Sequence, residues 1–482
     1  MNIPSGSQNQ YVNLFIGYGI SFAFIALSYV AYSRLLSPTE FGLYAIALAI
    51  GSFGAFLLDG GLKTAIIKHS GDLSEQDKGV LLSGLVLVSI SLSVLMILLE
   101  GPFAYFKPAL KSDFRFLSLF TIIYLMTYPF VAISTASLER KLEYKRIAWV
   151  ESGSIVIERA APALFLVFTE TGMYAFVWGL ALGRLFRLVF INRSSPVIPK
   201  VPSIRRIRSI VPIIKEGSWI QLATGCSLLR DNIHILLLGP IYGKDWVGYY
   251  SWGLQLCLVL SQAFVQVSAR VSLPLMAQRG TFEQRWGICR SQIRFLSIFT
   301  TPLMVVSLLV LPGIDIRFFH GKWEPTIRIL PLLFLRMVAG LATTPISNLT
   351  QVERGGFFFA RAMAIWTAVE YAGAGFFLYA LGPGGLACSY AIMVWAGLWA
   401  FLKSLPKPVG PLFREVLASA VCRPSLLAAA STVCLVTFFG VPRGAAYQNL
   451  KFTVPLALLI VAFSYLTERE VRERIGSGGF FG

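Results

Sequence analysis

Charged side chains interrupt several long apolar segments of this chain, and these residues are the candidates for chemistry. A charge at the centre of a bilayer costs about 2.5–3.5 kcal/mol on insertion scales, so it usually faces a partner or a water-filled cavity. Four arginines are candidates for binding an anionic substrate: Arg159, Arg336, Arg230 and Arg270. Four carboxylates are candidates for coupling to H+ or Na+: Glu370, Glu158, Asp231 and Asp59. This pattern predicts a cationic site inside a membrane.

The same charges have a simpler interpretation as ion pairs that hold neighbouring helices together. Adjacent residues on a helix point about 100° apart, so Glu158 need not pair with Arg159. Asp59 precedes Gly60 and Gly61 near the end of its segment. A structural role, as a helix cap or as the partner of a nearby lysine, is favoured there, whereas both interpretations stay open for the other charges.

Composition places these charges in a membrane protein. The chain has 482 residues, of which 56% are hydrophobic and only 14% charged, and its mean hydropathy is +0.68. Soluble domains average about 25% charged residues. We expect an all-α polytopic membrane protein with about 14 transmembrane helices, each needing about 20 apolar residues. The predicted segments are 12–36, 41–67, 79–99, 114–138, 147–169, 171–192, 212–238, 246–273, 293–312, 326–350, 358–380, 384–402, 416–440 and 450–467.

Motifs of enzymes and of metal sites are missing from the sequence. There is no Walker A sequence, no HExxH and no GxSxG, the three histidines are far apart, and the six cysteines lie singly. We therefore expect a transporter and not an enzyme, with no cofactor, no metal and no nucleic-acid partner. Active transport would then use an ion gradient, the membrane potential or a partner protein.

The net charge of +18 is interpreted as a topological signal, because Lys and Arg accumulate in cytoplasmic loops. With the N-terminus inside, most of the 42 Lys and Arg residues fall in the inner loops. The most basic of these loops follows the sixth segment and is assigned Arg184, Arg187, Arg193, Lys200, Arg205, Arg206, Arg208 and Lys215. Both termini are expected in the cytoplasm, and the first segment is too long for a signal peptide and is expected to be retained.

A repeated break between apolar segments indicates an internal duplication. Residues 35–44 read LLSPTEFGLY, and about 206 residues later the chain reads LLGP, a short turn, then VGYY at 247–250. Both copies fall in predicted outer loops, so the repeats are parallel, related by an axis along the membrane normal. We expect two six-helix lobes plus two C-terminal helices, with the repeated motif acting in packing or as a hinge. The predicted boundaries are an N-lobe at 1–193, a basic linker at 194–215, a C-lobe at 216–403, and two helices with a cytoplasmic tail at 404–482.

Several short motifs resemble those of Wzx-type polysaccharide flippases of the MOP exporter superfamily, particularly the colanic-acid-exporter-like branch. The first is the stretch 34–44, which resembles the first-loop signature of that family, and the others follow in the same order along the chain. They are LDGGL at 58–62, LERKLEYKRIA at 138–148, RDN at 230–232 with GYY at 248–250, and FHGKW at 319–323 with ILPLL at 329–333.

This resemblance implies a function. Such flippases move an undecaprenyl-pyrophosphate-linked oligosaccharide across the bacterial cytoplasmic (inner) membrane by alternating access, for surface polysaccharide biosynthesis. The resemblance also implies a cationic central cavity in which arginines and acidic residues act, coupling to an ion gradient or potential, and polymerase and chain-length proteins as partners. The glycan itself, whether of O-antigen, capsule or exopolysaccharide, is left open.

Two other functions remain as alternatives. A multidrug cation antiporter of the MATE type needs buried carboxylates to hold a cationic drug, and the interior arginines would repel such a substrate. A membrane polysaccharide polymerase or acyltransferase usually carries a large outer loop with catalytic charges, whereas the outer loops predicted here are short.

Overall fold

The computed structural model describes residues 21–417, except for 22, 61–73, 107–110, 141–142, 195, 201–203 and 278–279. Within these ranges the chain is helical and contains no strand. The helices are α1 Ala23–Leu35, α2 Pro38–Asp59, α3 Glu75–Phe106, α4 Lys111–Arg140, α5 Tyr144–Phe168, α6 Tyr174–Ser194, α7 Ile204–Asp231, α8 Ile233–Tyr242, α9 Lys244–Ala277, α10 Phe282–Phe318, α11 Glu324–Arg354, α12 Gly356–Leu381, α13 Pro383–Lys403 and α14 Val409–Leu417.

Eight of these helices are long and apolar enough to cross a membrane, namely α2, α3, α4, α6, α10, α11, α12 and α13. The prediction of an all-α polytopic membrane protein is therefore confirmed. Helix α5 is also long, but Glu151 lies in its N-terminal half and Glu158 and Arg159 lie near its middle. Because charge lowers hydropathy, the residues of the candidate site themselves weaken the membrane signal of this helix.

Two details of the sequence interpretation are corrected. The predicted segment 212–238 is not one helix, because the chain breaks at Asn232 between α7 and α8. The side-chain amide of Asn232 donates to the Leu228 carbonyl, and its own carbonyl accepts from the start of the next helix. Arg184 and Arg187, assigned to a basic loop, lie inside α6. Residues 418–482, with most of the last two predicted segments, lie outside the described residues, as does the start of the first.

The chain divides into two compact units, one reaching Gly248 and the other starting at Tyr249. The predicted lobe boundaries, with a linker at 194–215, stay a prediction. In the first unit α5 and α6 form an antiparallel hairpin that turns at Gly172, whose φ of 54° favours glycine. Helix α4 packs on α2, α3 and α6, and Leu82, Ile133 and Ala136 are buried between α3 and α4.

In the second unit α12 and α13 form a similar hairpin, and α11 packs on both α10 and α13. The turn between α10 and α11 is fixed by Asp315, whose carboxylate accepts a hydrogen bond from the backbone N–H of Trp323 at 3.0 Å. His320 and Gly321 adopt left-handed conformations with φ of 57° and 75°, which lets the chain reverse within a few residues. The Trp323 ring then stacks on Trp252 with centroids 4.9 Å apart.

Asp315→Ala should destabilise the second unit, because it leaves the buried N–H of Trp323 without its acceptor. A buried donor left unsatisfied costs about 1–3 kcal/mol. We expect a lower Tm in detergent, measured by intrinsic tryptophan fluorescence. Glu324→Ala is the control, because it breaks an exposed pair with Arg328 worth about 0–1 kcal/mol. Equal Tm values for the two variants would contradict this role of Asp315.

Candidate functional site: charged clusters in the helix interior

Arg159 lies in the middle of α5 against tyrosines of α1 and α2. Its Nη1 donates to the hydroxyl of Tyr44 at 2.9 Å, and its backbone carbonyl accepts from the hydroxyl of Tyr32 at 2.6 Å. Both tyrosines are buried. Their rings pack edge-on against each other, and the Phe176 ring of α6 lies edge-on to Tyr32 and tilted against Tyr44. This packing fixes the position of the Tyr44 phenol oxygen, which accepts the hydrogen bond from the Arg159 guanidinium.

Glu158, the neighbour of Arg159, points instead toward α6. Its Oε1 lies 3.4 Å from Nε of Arg184 and accepts from the Ser154 hydroxyl at 3.0 Å. The guanidinium of Arg184 also lies over the Tyr124 ring, 3.9 Å from its centroid. Gly183 permits this approach, because a Cβ there would collide with the Glu158 side chain. The carboxylate of Glu158 is thus compensated by an arginine of another helix.

A second ion pair joins α5 and α6 farther from the turn at Gly172. Glu151 of α5 lies two turns from Glu158, and its Oε1 accepts from Nη2 of Arg187 at 2.7 Å. Arg187 and Arg184 lie one turn apart on α6. Asp59, at the end of α2, accepts a hydrogen bond from the Tyr128 hydroxyl at 3.1 Å. The described partner of Asp59 is thus a neutral group, and the structural role favoured for it stays a prediction.

The sequence interpretation missed Arg184 and Arg187 as interior residues, since it assigned them to a basic loop. A signal for them exists in the predicted hairpin around Gly172. Residues equally distant from the turn of an antiparallel hairpin lie side by side, so Glu158 falls opposite positions near 186. Arginines close to that position should therefore be interpreted first as partners of the Glu158 carboxylate and only then as topological signals.

A buried ion pair joins α11 and α12 in the described part of the second unit. Nη2 of Arg336, on α11, lies 3.2 Å from Oε1 of Glu370, on α12. The Glu370 side chain is 0% exposed and that of Arg336 14%. The guanidinium also lies over the Tyr390 ring of α13, 3.9 Å from its centroid. Arg336 therefore connects three helices, and the inter-helix ion pair considered from the sequence is present here.

The remaining candidates lie near the break between α7 and α8. Arg230 donates through Nε and Nη2 to Oδ1 of its neighbour Asp231, at 3.1 and 3.0 Å, and through Nη2 to the Ser227 hydroxyl at 3.0 Å. The Arg230 side chain is 9% exposed, whereas that of Asp231 is 55% exposed. Arg270 belongs to α9, but its side chain lies outside the described residues.

These clusters differ in how their arginines are compensated. Arg184, Arg187, Arg230 and Arg336 each form an ion pair with a carboxylate. Arg159 hydrogen-bonds a neutral phenol, and across the described part of the chain no carboxylate forms an ion pair with it. An interior guanidinium held by a neutral group keeps its charge available for an anion, whereas a salt-bridged one must first lose its partner.

Comparison with solved structures identifies the fold. The chain is similar to the structure titled "Lipid II flippase MurJ, inward closed conformation", with a TM-score of 0.73, 15% identity, and coverage of 96% of this chain and 100% of that one. It is also similar to an inward-facing multidrug resistance MATE family transporter of the MOP superfamily, with a TM-score of 0.55, 13% identity, and coverage of 81% and 98%. The chain therefore shares the fold of these two structures.

Sequence comparison identifies the family. A family model described as "Polysaccharide biosynthesis protein" matches residues 31–328, so the chain belongs to this family. The "Lipopolysaccharide biosynthesis protein WzxC" of Escherichia coli (strain K12) is 23% identical over 332 residues, which are 67% of this chain and 65% of that protein. An "Uncharacterized membrane protein in cps region" of Klebsiella pneumoniae is 22% identical over 338 residues, 68% and 67% of the two chains.

The chain therefore matches about two thirds of the length of these relatives. The predicted resemblance to Wzx-type proteins is confirmed. The roles of the individual site residues stay predictions.

The buried pair in the second unit predicts a coupled effect on stability. Arg336→Gln or Glu370→Gln leaves one charge uncompensated, which typically costs about 3–5 kcal/mol. Each single variant should lower the Tm in detergent, and Arg336→Met/Glu370→Met should recover most of the loss. Arg146→Gln, which breaks the exposed pair with Glu143, is the control and should have little effect. Additive losses in the double variant would show that the two side chains do not act as a pair.

Proposed function

We propose that this protein flips an undecaprenyl-pyrophosphate-linked oligosaccharide across the bacterial cytoplasmic membrane by alternating access, for surface polysaccharide biosynthesis. Membership of the polysaccharide biosynthesis family and the MOP-type fold support a transporter of this kind. The observation that carries the proposal is Arg159, an interior cation held by the Tyr44 hydroxyl. We also propose that both termini lie in the cytoplasm and that polymerase and chain-length proteins are partners.

The anionic pyrophosphate is the part of this substrate that a cation would recognise. A guanidinium binds phosphate oxygens through two parallel N–H groups, and such charge-assisted bonds are about twice as strong as neutral ones. In our proposal Arg159 provides this contact, because Arg184, Arg187, Arg230 and Arg336 would first have to exchange their carboxylate for the ligand. Arg336, Arg230 and Arg270 remain proposed secondary contacts for the same substrate.

Energy coupling is proposed at Glu370. Its carboxylate is completely buried beside Arg336, so binding of H+ or Na+ there would change the electrostatic balance that keeps the two side chains together. Glu158 has an equivalent relation to Arg184 and is the second candidate. Asp231, which is half exposed, and Asp59, which receives the Tyr128 hydroxyl, are the weaker candidates for coupling.

Arg159→Ala should reduce transport strongly. Loss of a hydrogen bond to a charged group costs about 1.5–3 kcal/mol, which is about ten-fold or more in binding. The measurement is restoration of surface polysaccharide in a deletion strain at matched protein levels, followed by flipping of the lipid-linked oligosaccharide in proteoliposomes. Arg159→Lys should retain intermediate activity, and Arg328→Ala, at an exposed pair with Glu324, should retain all of it. Full activity of Arg159→Ala in both assays would rule out the proposed contact.

A multidrug cation antiporter is the second candidate, and the buried carboxylate of Glu370 is the feature that favours it. The nearby guanidinium of Arg336 opposes binding of a cation. Overexpression should therefore leave the resistance of a sensitive strain to cationic drugs unchanged. A rise in resistance that Glu370→Gln abolishes would favour the antiporter.

A further inference from the structure

One face of α12 is exposed along its whole length and is almost entirely apolar. Its members recur every three or four residues, as side chains on a single face of a helix do. They are Phe357, Arg361, Ile365, Ala368, Ala372, Phe376 and Tyr379. Phe376 is 66% exposed and Tyr379 95%. Exposed apolar surface of this extent on a helix long enough to span a membrane suits contact with lipid chains.

Arg361 is the charged member of this face. It is exposed, and it lies one turn from Phe357 on one side and one turn from Ile365 on the other. A charged side chain among lipid chains is unfavourable. Long cationic side chains avoid that cost by extending to the headgroup layer while their methylene groups stay on apolar surface. Arg361 belongs to the second turn of α12, so its guanidinium is close enough to the helix end to reach that layer.

Helix α13 has the same arrangement at the same end of the hairpin. Trp399 is 48% exposed, and the ammonium of Lys403, one turn later, lies 4.8 Å from the centroid of its ring. The rings of Phe359 on α12 and Phe401 on α13 have centroids 6.1 Å apart. Each of these rings is two residues from a cation, so Arg361 and Lys403 lie at the same level of the hairpin.

A third cation lies at this end of the second unit. Arg354, the last residue of α11, is exposed and donates through Nε to the carbonyl of Ser404 at 3.1 Å, directly after Lys403 in the sequence. The carboxylate of Glu353 beside it is already engaged in an ion pair with an arginine of α10. Across the described residues, no carboxylate forms an ion pair with Arg354, Arg361 or Lys403. This end of the hairpin therefore has an excess of positive charge.

We propose that Arg361, Lys403 and Arg354 form a binding site for the headgroup of an anionic phospholipid, whose acyl chains lie along the exposed apolar face of α12. Charge complementarity supports this occupant, because the lipid phosphate supplies the negative charge that the protein does not place beside these cations. The exposed ring of Trp399 is of the kind that lies at the headgroup level. A lipid bound here holds α12, the helix of Glu370, at a fixed depth in the membrane.

Lipid retention tests the charge requirement. Protein from vesicles of equal parts phosphatidylcholine and phosphatidylglycerol is extracted, and the lipids it retains are counted by native mass spectrometry. The unmodified protein should prefer phosphatidylglycerol. Arg361→Gln/Lys403→Gln should lower that preference about twenty-fold, since each cation near an anionic lipid contributes about five-fold. The control Arg317→Gln/Arg328→Gln removes the same charge from exposed positions beside the turn between α10 and α11 and should keep the preference. Equal losses in the two variants would show an effect of net charge alone and overturn the site.

Fluorescence quenching tests the place of binding. Bromine atoms on acyl chains quench nearby tryptophans, so the quenching that is lost in Trp399→Phe reports lipid contact at that position. Brominated phosphatidylglycerol should quench Trp399 several-fold more than brominated phosphatidylcholine at the same mole fraction, and Arg361→Gln should reduce the difference. Trp178→Phe is the matched control, because Trp178 is 58% exposed on α6 and should be quenched equally by both lipids. Equal quenching of Trp399 by the two lipids would contradict the proposal.

The lipid carrier of the proposed substrate is the other occupant with an anionic headgroup. If undecaprenyl phosphate at low mole fraction displaces phosphatidylglycerol from the unmodified protein, the surface belongs to the carrier and the phospholipid site is rejected. Neither measurement involves transport. A phospholipid site found in a protein that moves no lipid-linked oligosaccharide would therefore leave this inference intact and reject only the proposed function.

Discussion

The cost of placing charge inside a membrane protein constrains the arrangement of the helices in this structure. An isolated interior charge is expensive, so each charge must find a partner, and the partners described here mostly lie on another helix. Glu158 with Arg184 and Glu151 with Arg187 fix the register of α5 against α6. Arg336 with Glu370 does the same for α11 and α12. The polar residues therefore align helices whose apolar surfaces alone would allow many registers.

Small residues make these pairs geometrically accessible. Helices in lipid associate through van der Waals packing and close approach, because the hydrophobic effect does not distinguish a helix partner from lipid. Gly183, next to Arg184 in the sequence, brings the backbone of α6 against Glu158. Gly397 similarly places α13 against the Trp366 ring of α12, beside the helix turn that carries Glu370. Helix packing and charge compensation thus depend on the same few helical turns.

Hydropathy predicted the helices well, because a spanning segment is defined by local composition. It did not predict the break at Asn232, which depends on one side chain that competes with the backbone for hydrogen bonds. The partner of each interior charged side chain was harder to predict, because it depends on the register of two helices. Glu158 and Arg159 point to different helices, as their spacing suggested, whereas Arg230 folds back onto Asp231 beside it. Arg184 and Arg187 were mistaken for loop cations because counting charges ignores what faces them.

The distinction between compensated and uncompensated arginines links the fold to the proposed chemistry. A guanidinium paired with a carboxylate forms a pair with no net charge. An anionic ligand must then compete with that carboxylate, which belongs to the same chain and always lies nearby. A guanidinium that rests on a phenol oxygen is stabilised by a dipole and remains a net cation. Arg159 is in the second situation, on α5 beside the compensated Glu158. In the proposed function, this net positive charge of Arg159 suits an anionic lipid-linked substrate better than a cationic drug.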